Sequence, residues 1–141
     1  MTDLFRFGIS VEKELIEEFD ACIRKKNYAN RSEAFRDLIR QELIREEWAE
    51  GDEVVGAIIL LYNHHRKDLL SKITTIQHDH QNLIISTQHI HLDRDDCLEI
   101  VAVRGEPVKV QWLADRLKAL KGVKHGTLAM SSTGHALGDS P

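Results

Sequence analysis

The chain has 141 residues, of which 42% are hydrophobic and 30% are charged, and its formal net charge at pH 7 is -4. This composition is that of a globular protein with room for one typical domain or two small ones. The negative charge argues against nucleic-acid binding through bulk positive charge, so any DNA contact has to be local. No apolar run approaches the roughly 20 residues that span a bilayer and no signal peptide is recognisable, so we expect a cytoplasmic protein without a membrane partner.

The N-terminus predicts a single β-strand. Residues 4–11 alternate apolar and polar side chains, which is typical of a half-buried strand. Its polar face carries Arg6, Gly8 and Ser10. A lone strand leaves its backbone groups unpaired, so we expect it to pair with the same strand of a second copy. Such a two-stranded ribbon fits the major groove of DNA with these three residues toward the bases.

A first helix is predicted after this strand. Ser10 is a candidate N-cap for a helix that begins near Val11 and ends near Asn27. Its apolar residues recur at helical spacing and include Cys22, which we expect to lie in the core. The other cysteine, Cys97, lies in an unlike context, so the pair predicts no disulfide framework.

A second amphipathic helix follows. Asn30 with Glu33 three residues later is an N-cap and capping-box signal. The helix start, Asn30-Arg31-Ser32, offers free backbone N–H groups and a guanidinium that suit a DNA phosphate. With the strand, this segment resembles the ribbon-helix-helix repressors over roughly the first 45 residues. Strand-helix-helix order is also common elsewhere, and toxin–antitoxin partners use the same fold.

The rest of the chain predicts a second domain of mixed structure. The apolar periodicity lapses at residues 49–53, which indicates a hinge. Beyond it, the pattern predicts the order βαββαβ, with strands at residues 54–62, 83–92, 97–104 and 123–131 and helices at residues 66–80 and 108–120. The fold class is therefore α+β. A ribbon-helix-helix domain at residues 1–48 precedes a ferredoxin-like (ACT-like) domain at residues 54–131, and the tail at residues 132–141 is predicted to be disordered.

Potential metal ligands cluster in the middle of this second domain. His89 and His91 are two apart on one strand, so both imidazoles project from the same face. Cys97 follows a short acidic turn that can bring it alongside them. Thiolate and imidazole ligands favour nickel, copper or zinc, and a planar set favours nickel or copper. His78, on the preceding helix, is the best candidate for a fourth ligand, from its own chain or from a neighbouring subunit.

Three runs of this region form one longer string: Gln77-His78, Gln88-His89-Ile90-His91 and Asp95-Asp96-Cys97-Leu98-Glu99-Ile100. The string closely resembles the motif of nickel-responsive transcriptional regulators (NikR type), and with the N-terminal segment the resemblance spans nearly the whole chain. It implies a homotetramer, a dimer of dimers joined through the regulatory domains. It also implies a repressor of nickel uptake genes, in which Ni²⁺ bound at a subunit interface raises the affinity for a palindromic DNA operator.

The resemblance assigns roles to particular residues. Four are implied as the ligands of a square-planar nickel site: His89, His91 and Cys97 of one subunit with His78 of its neighbour. Tyr62 and Glu99 match positions whose hydrogen bonds orient the ligands. Arg66 and Lys67 match a loop that approaches the DNA backbone.

Glu33 and Asp37 match an additional cation site that forms between the domains when DNA is bound. Their spacing of four residues equally fits ordinary carboxylates on a helix surface. Of the eight histidines, five have no assigned role: His64, His65, His80, His125 and His135.

Two other functions are compatible with parts of this sequence. The chain could be a ribbon-helix-helix regulator that responds to a different metal or to a small metabolite. It could also be an enzyme with Cys97 as nucleophile and His89 or His91 as base, or with a catalytic zinc. We expect no enzyme, because no oxyanion loop or Gly-rich phosphate cradle is apparent and the acidic turn beside Cys97 would raise the pKa of its thiol.

Overall fold

The computed structural model describes residues 3–138, which form two compact units. One unit comprises residues 3–43 with 134–138, and the other is Ile44–Thr133. In chain order the elements are α1 Lys13–Lys25, α2 Arg31–Glu50, β1 Val54–Asn63, α3 Lys67–Asp79, β2 Ile84–His91, β3 Asp96–Gly105, α4 Pro107–Lys118 and β4 Val123–Met130. None of the helices in the described residues is long and apolar enough to cross a membrane.

The first unit is held together by contacts between α1 and α2. The ring centroids of Phe19 and Phe35 are 5.0 Å apart in a stacked arrangement, and Ala34 is buried. The predicted N-cap of α2 is confirmed, because the Glu33 backbone N–H donates to the Asn30 side-chain oxygen at 2.9 Å. This bond satisfies one of the free donors at the helix start and fixes where α2 begins.

Three expectations for the first unit differ from the structure. Residues 4–11 form no strand within the described chain, because a strand needs a backbone partner and no described residue supplies one. Ser10 does not cap α1, which begins at Lys13 without a side-chain cap. Cys22 is exposed rather than buried, because the buried side of α1 within a single chain falls on Ile23.

The second unit has the predicted order of strands and helices, but the predicted hinge is shorter. Ala49 and Glu50 continue α2, since both residue types are compatible with a helix, and the helix ends at Glu50. The N–H of the next residue, Gly51, donates to the Glu47 carbonyl at 2.7 Å. The Trp48 indole N–H donates to the Ser131 carbonyl at 2.9 Å. The last turn of α2 is thereby fixed to the end of β4.

The four strands form one antiparallel sheet in the order β2-β3-β1-β4, as the ferredoxin-like arrangement requires. Alternate residues of β1 and β3 are buried and pack against the apolar sides of α3 and α4. The register places Tyr62 of β1 opposite Cys97 of β3, and His91 and His89 of β2 opposite Cys97 and Glu99. The candidate metal ligands of these strands therefore meet at one end of the sheet.

Of the C-terminal residues that follow β4, residues 134–138 belong to the first unit. The Arg40 guanidinium donates to the Leu137 carbonyl at 3.2 Å. The predicted disordered tail begins at residue 132, and its last three residues, 139–141, lie outside the described residues. Disorder of this tail stays a prediction.

Candidate metal centre

His89 and Cys97 come together on adjacent strands. Their Cα atoms are diagonal neighbours in the β2–β3 ladder, and the Cys97 Sγ lies 3.8 Å from the His89 Nδ1. The Cys97 side chain is buried, whereas half of the His89 side chain is exposed. A thiol and an imidazole nitrogen are thus held close to each other at the edge of the core.

Glu99 determines which nitrogen of His89 is available to a metal. The His89 Nε2 lies 2.6 Å from the Glu99 Oε1, and a carboxylate at this position accepts the Nε2–H. The lone pair of the neutral ring is then on Nδ1, the atom that faces Cys97. A carboxylate that holds the outer N–H of a ligating histidine fixes both its tautomer and its orientation.

Two further side chains donate to the Glu99 carboxylate. The Gln77 amide donates to Oε2 at 2.8 Å, and the Tyr62 hydroxyl donates to Oε1 at 3.4 Å. Burial raises the pKa of Glu99 above its ordinary value, although the nearby His89 and the hydrogen bonds from Gln77 and Tyr62 act to lower it. Burial, with the neighbouring Glu99 and Cys97, raises the pKa of Tyr62, so its hydroxyl keeps its proton and remains a donor. Tyr62 and Glu99 therefore lie beside His89, where ligand-orienting residues are expected.

His91 lies directly opposite Cys97 in the ladder, but its ring contacts His64 at a centroid distance of 4.8 Å. Among residues 3–138, no group of three or more His, Cys, Asp or Glu side chains is arranged to hold a metal ion. The expected convergence of His89, His91 and Cys97 is accordingly present only for His89 and Cys97 within one chain. The set of three ligands stays a prediction.

The acidic turn before Cys97 has the tight geometry that the sequence predicts. The Asp93 carboxylate accepts the backbone N–H groups of Asp95 and Asp96, each at 2.8 Å. These two hydrogen bonds lower the pKa of Asp93. The turn brings β3 back beside β2 and so places Cys97 next to the histidines.

His78 lies on the last turns of α3, and its side chain is 78% exposed. This placement leaves its imidazole accessible to another chain. Its role as fourth ligand stays a prediction.

The donor set fits Ni²⁺. A thiol and imidazole nitrogens are the ligands that late first-row metals prefer over oxygen ligands. Metal binding requires a deprotonated thiol and a neutral imidazole, and the bond from His89 to Glu99 already selects one nitrogen as donor.

Some of the residues proposed for DNA contact are held by hydrogen bonds within the first unit, whereas others are exposed. Arg31 forms two hydrogen bonds to the Asp20 carboxylate, at 2.8 and 2.7 Å, and its guanidinium is therefore engaged within the first unit. This contact lowers the pKa of Asp20. The Asn30 side chain is used as a helix cap, and Ser32 is exposed beside it. The three residues of the polar face, Arg6, Gly8 and Ser10, are exposed in the unpaired N-terminal segment.

In the second unit, Arg66 contacts Asp68 at 3.5 Å, and its guanidinium packs over Gly122. Lys67 is exposed. The DNA contacts of both residues stay predictions.

The two carboxylates of the possible second cation site have partners of their own. The Tyr28 hydroxyl donates to the Asp37 carboxylate, and Gln41 donates to the same oxygen at 2.9 Å. The hydrogen bond to Asp37 raises the pKa of Tyr28. Glu33 lies 3.9 Å from Arg36. A cation at this position would compete with these contacts, and the site stays a prediction.

The sequence alone assigned no role to Gln77, to Tyr28 or to five of the histidines, of which His64, His65 and His80 form hydrogen bonds in the structure. Gln77 lies in the quoted motif next to His78, so its position was a usable signal. The contacts of His64 and His65 join residues far apart in sequence, since their Nε2 atoms lie 2.8 and 2.9 Å from the Arg94 carbonyl oxygen. His80 contacts its own helix at the Ile76 carbonyl, at 2.9 Å.

Comparison with known proteins identifies both units. Residues 55–131 match the family described as the NikR C-terminal nickel-binding domain, and residues 6–46 match the ribbon-helix-helix proteins of the copG family. A nickel-responsive regulator of Syntrophus aciditrophicus is 57% identical, covering 95% of this chain and 98% of the relative. Those of Chlorobaculum tepidum and Thermococcus kodakarensis are 54% and 50% identical, covering 94% and 95% of this chain and 98% of each relative. The chain therefore belongs to the family of nickel-responsive regulators, with a ribbon-helix-helix DNA-binding segment and Ni²⁺ as its metal, and it is not an enzyme.

Proposed function

We propose that the chain is a nickel-dependent repressor that binds a palindromic DNA operator as a homotetramer. The observation that carries this proposal is the pairing of Cys97 Sγ with His89 Nδ1 at 3.8 Å, with the other ring nitrogen held by the buried Glu99. This arrangement lies inside the segment that matches a nickel-binding domain. It holds one thiol and one imidazole nitrogen close together in an orientation that suits metal binding.

The proposed site is completed between subunits. Cys97, His89 and His91 come from β3 and β2 of one chain, and the exposed His78 on α3 reaches the site of the neighbouring subunit. Bound nickel would supply the link that holds these ligands of two chains together. The contribution of the chain is to present the donors in a fixed orientation, which Tyr62 and Glu99 provide.

The DNA-binding surface is proposed to form when two N-terminal segments pair. Three large apolar side chains in this segment are exposed within one chain, namely Phe5 at 87%, Phe7 at 70% and Ile9 at 56%. Exposure on this scale marks a surface that is covered in an assembly. An antiparallel ribbon from two copies would bury these side chains and turn Arg6, Gly8 and Ser10 toward the base edges.

Nickel binding and DNA binding are proposed to be coupled, so that each changes the affinity of the chain for the other ligand. If nickel raises operator affinity, DNA must raise nickel affinity by the same factor. The ribbon-helix-helix segment, residues 1–48, would read the operator, and residues 54–131 would bind nickel and form the tetramer. Lys67 and Arg66 would contact the DNA backbone, and Glu33 with Asp37 would hold a second cation in the DNA-bound form. We place this regulator in the cytoplasm, where it would repress genes for nickel uptake.

Operator binding with and without nickel tests the proposal. We expect the wild-type chain to bind DNA containing its operator at least about 10-fold more tightly with nickel, since a factor of 5 to 150 is usual for coupled sites. Cys97→Ala should remove this dependence, whereas Cys22→Ala, a change at an exposed cysteine of the other unit, should preserve it. Equal DNA affinity of the wild-type chain with and without nickel would contradict the proposal.

A further inference from the structure

The C-terminal half of α2 is covered along one side only. Four of its residues are half-buried and the residues between them are exposed; the four are Arg40, Ile44, Glu47 and Trp48. Their spacing places these side chains on one face of the helix. On this face the Glu47 Oε2 is also shielded from solvent. Within this stretch α2 passes from the first unit into the second, directly after Leu43.

The chain returns to this face of α2 after β4. The Ser131 carbonyl accepts the Trp48 indole N–H at 2.9 Å. Further along, the Leu137 carbonyl accepts the Arg40 guanidinium at 3.2 Å, and the Leu137 side chain is half-buried. Residues 131–138, which we call the C-terminal strap, thus contact the first and the last of the four half-buried residues of α2.

Backbone contacts fix both ends of the C-terminal strap. The Ser131 N–H donates to the Val55 carbonyl at 2.9 Å, so the strap begins as a continuation of the pairing between β4 and β1. The Leu137 N–H donates to the Gly134 carbonyl at 3.2 Å, and Gly134 has a φ of 90°, which glycine adopts without the clash of a Cβ. At Gly134 the chain passes back into the first unit. The strap therefore accompanies α2 over the stretch in which both segments pass between the units.

We infer that the C-terminal strap keeps α2 stiff where it passes between the units, and so restricts the spacing of DNA half-sites that the assembly accepts. A helix with few packing contacts opens locally, and a segment that covers it suppresses this opening. The spacing of half-sites follows the separation of the DNA-binding pairs in an assembly. A stiff connection permits few separations, whereas a flexible one permits several. The inference rests on the proposed function and requires residues 132–138 to be ordered, in contrast to the disordered tail expected from the sequence.

Two changes in the full-length chain should weaken the contact between the strap and α2 by different routes. Arg40→Met keeps the approximate length of the side chain and removes the donor to Leu137. Gly134→Val places a β-branched residue at a positive φ and should disrupt the turn that presents the Leu137 carbonyl. Arg116→Met is the matched control, because Arg116 also extends from a helix to a neighbouring group, the Trp112 ring at 5.2 Å, away from the strap.

Hydrogen–deuterium exchange of the metal-free proteins measures the opening of α2. Over residues 41–48, exchange should be about 5-fold faster in Arg40→Met and in Gly134→Val than in the wild type, the effect expected from the loss of one hydrogen bond. The double variant should exchange no faster than either single variant, because both changes act through one contact. Arg116→Met should exchange like the wild type. Unchanged exchange in both strap variants would overturn the inference and leave the proposed function intact.

The effect on DNA is measured with a palindromic duplex selected from a random pool by the nickel-loaded wild type. A second duplex carries one extra base pair between the half-sites, which rotates one half-site by about 35° relative to the other. The wild type and Arg116→Met should bind the second duplex at least about 10-fold more weakly than the first, a loss comparable to that from one mismatched base pair. For Arg40→Met and Gly134→Val this loss should be no more than about 3-fold.

Two outcomes of the DNA measurement would contradict the account, and they differ in what they overturn. Equal losses in the wild type and the two strap variants, including no loss in any of them, would overturn the spacing role and leave the proposed function intact. Failure of the nickel-loaded wild type to select palindromic DNA would overturn the proposed function and the spacing role with it.

Discussion

Cys97 should stabilise the protein in two ways, through its burial in the core and through nickel binding. Replacing it by Ala should separate these two contributions to the free energy of unfolding. The Cys97 side chain is 1% exposed and lies between Tyr62 and His91 in the sheet register. Removal of its buried sulfur should lower the free energy of unfolding of the metal-free protein by about 1 kcal/mol, the usual scale for a single substitution. The fold should therefore survive the change.

In Cys97→Ala, the stabilisation of the folded state by nickel should be lost entirely. A ligand that binds only the folded state at 100 times its dissociation constant stabilises that state by about 2.7 kcal/mol. In a unit of the size of Ile44–Thr133, each 1 kcal/mol shifts Tm by about 4–8 °C, so nickel should raise the Tm of the wild type by about 10–20 °C. Cys97→Ala should show no such increase.

Differential scanning calorimetry of the metal-free and nickel-loaded proteins measures both contributions. Cys22→Ala is the matched control, since Cys22 is exposed and lies in the other unit. It should keep the whole nickel-dependent increase in Tm. An equal increase in Cys97→Ala and the wild type would refute the assignment of Cys97 as a ligand.

Three further changes test the structure away from the metal. Arg31 lowers the pKa of Asp20, so this carboxylate contributes stability above its ordinary pKa of 3.8 and loses it as the pH falls. Arg31→Gln should therefore be less stable than the wild type near neutral pH, with the difference shrinking below pH 3.8 in urea titrations. Trp48→Phe removes the hydrogen bond to Ser131 and should lower the free energy of unfolding by about 1 kcal/mol; an unchanged urea midpoint would contradict that contact. Gly122→Ala should cost more than about 1 kcal/mol, because Gly122 has a φ of 105°, a conformation that residues with a Cβ rarely adopt, and an added Cβ would also contact the Arg66 guanidinium; retention of the wild-type Tm would refute this.

The second domain could be predicted from sequence because its apolar periodicity is strong and local. The order βαββαβ and the bounds of its elements agree with the structure to within about two residues, and β1 alternates buried and half-buried residues along its whole length. The cap at Asn30 was also predictable, since capping depends on residues only three apart.

The N-terminal segment and the hinge show where local patterns are insufficient. Residues 4–11 have a strand pattern, but a strand depends on a partner, and sequence alone does not say where that partner lies. The hinge was expected to begin at residue 49 because the apolar periodicity lapses there, although Ala49 and Glu50 are compatible with a helix and continue α2. Cys22 has helical spacing, yet a single chain leaves that side of α1 exposed.

The identity of the candidate ligands followed from residue type and spacing, whereas their hydrogen bonds did not. Gln77 and Glu99 are 22 residues apart, so their contact depends on how α3 packs against β3. The same packing determines which nitrogen of His89 faces Cys97. These contacts give the site its orientation, and the sequence motif alone does not reveal them.

Nickel titration of the purified metal-free chain, followed by ultraviolet–visible absorption, tests the central claim most directly. A thiolate bound to nickel produces a charge-transfer band, and the band should saturate at one nickel ion per chain. It should be lost in Cys97→Ala and retained in Cys22→Ala. Absence of the band in the wild type, or its persistence in Cys97→Ala, would contradict a nickel site built on Cys97.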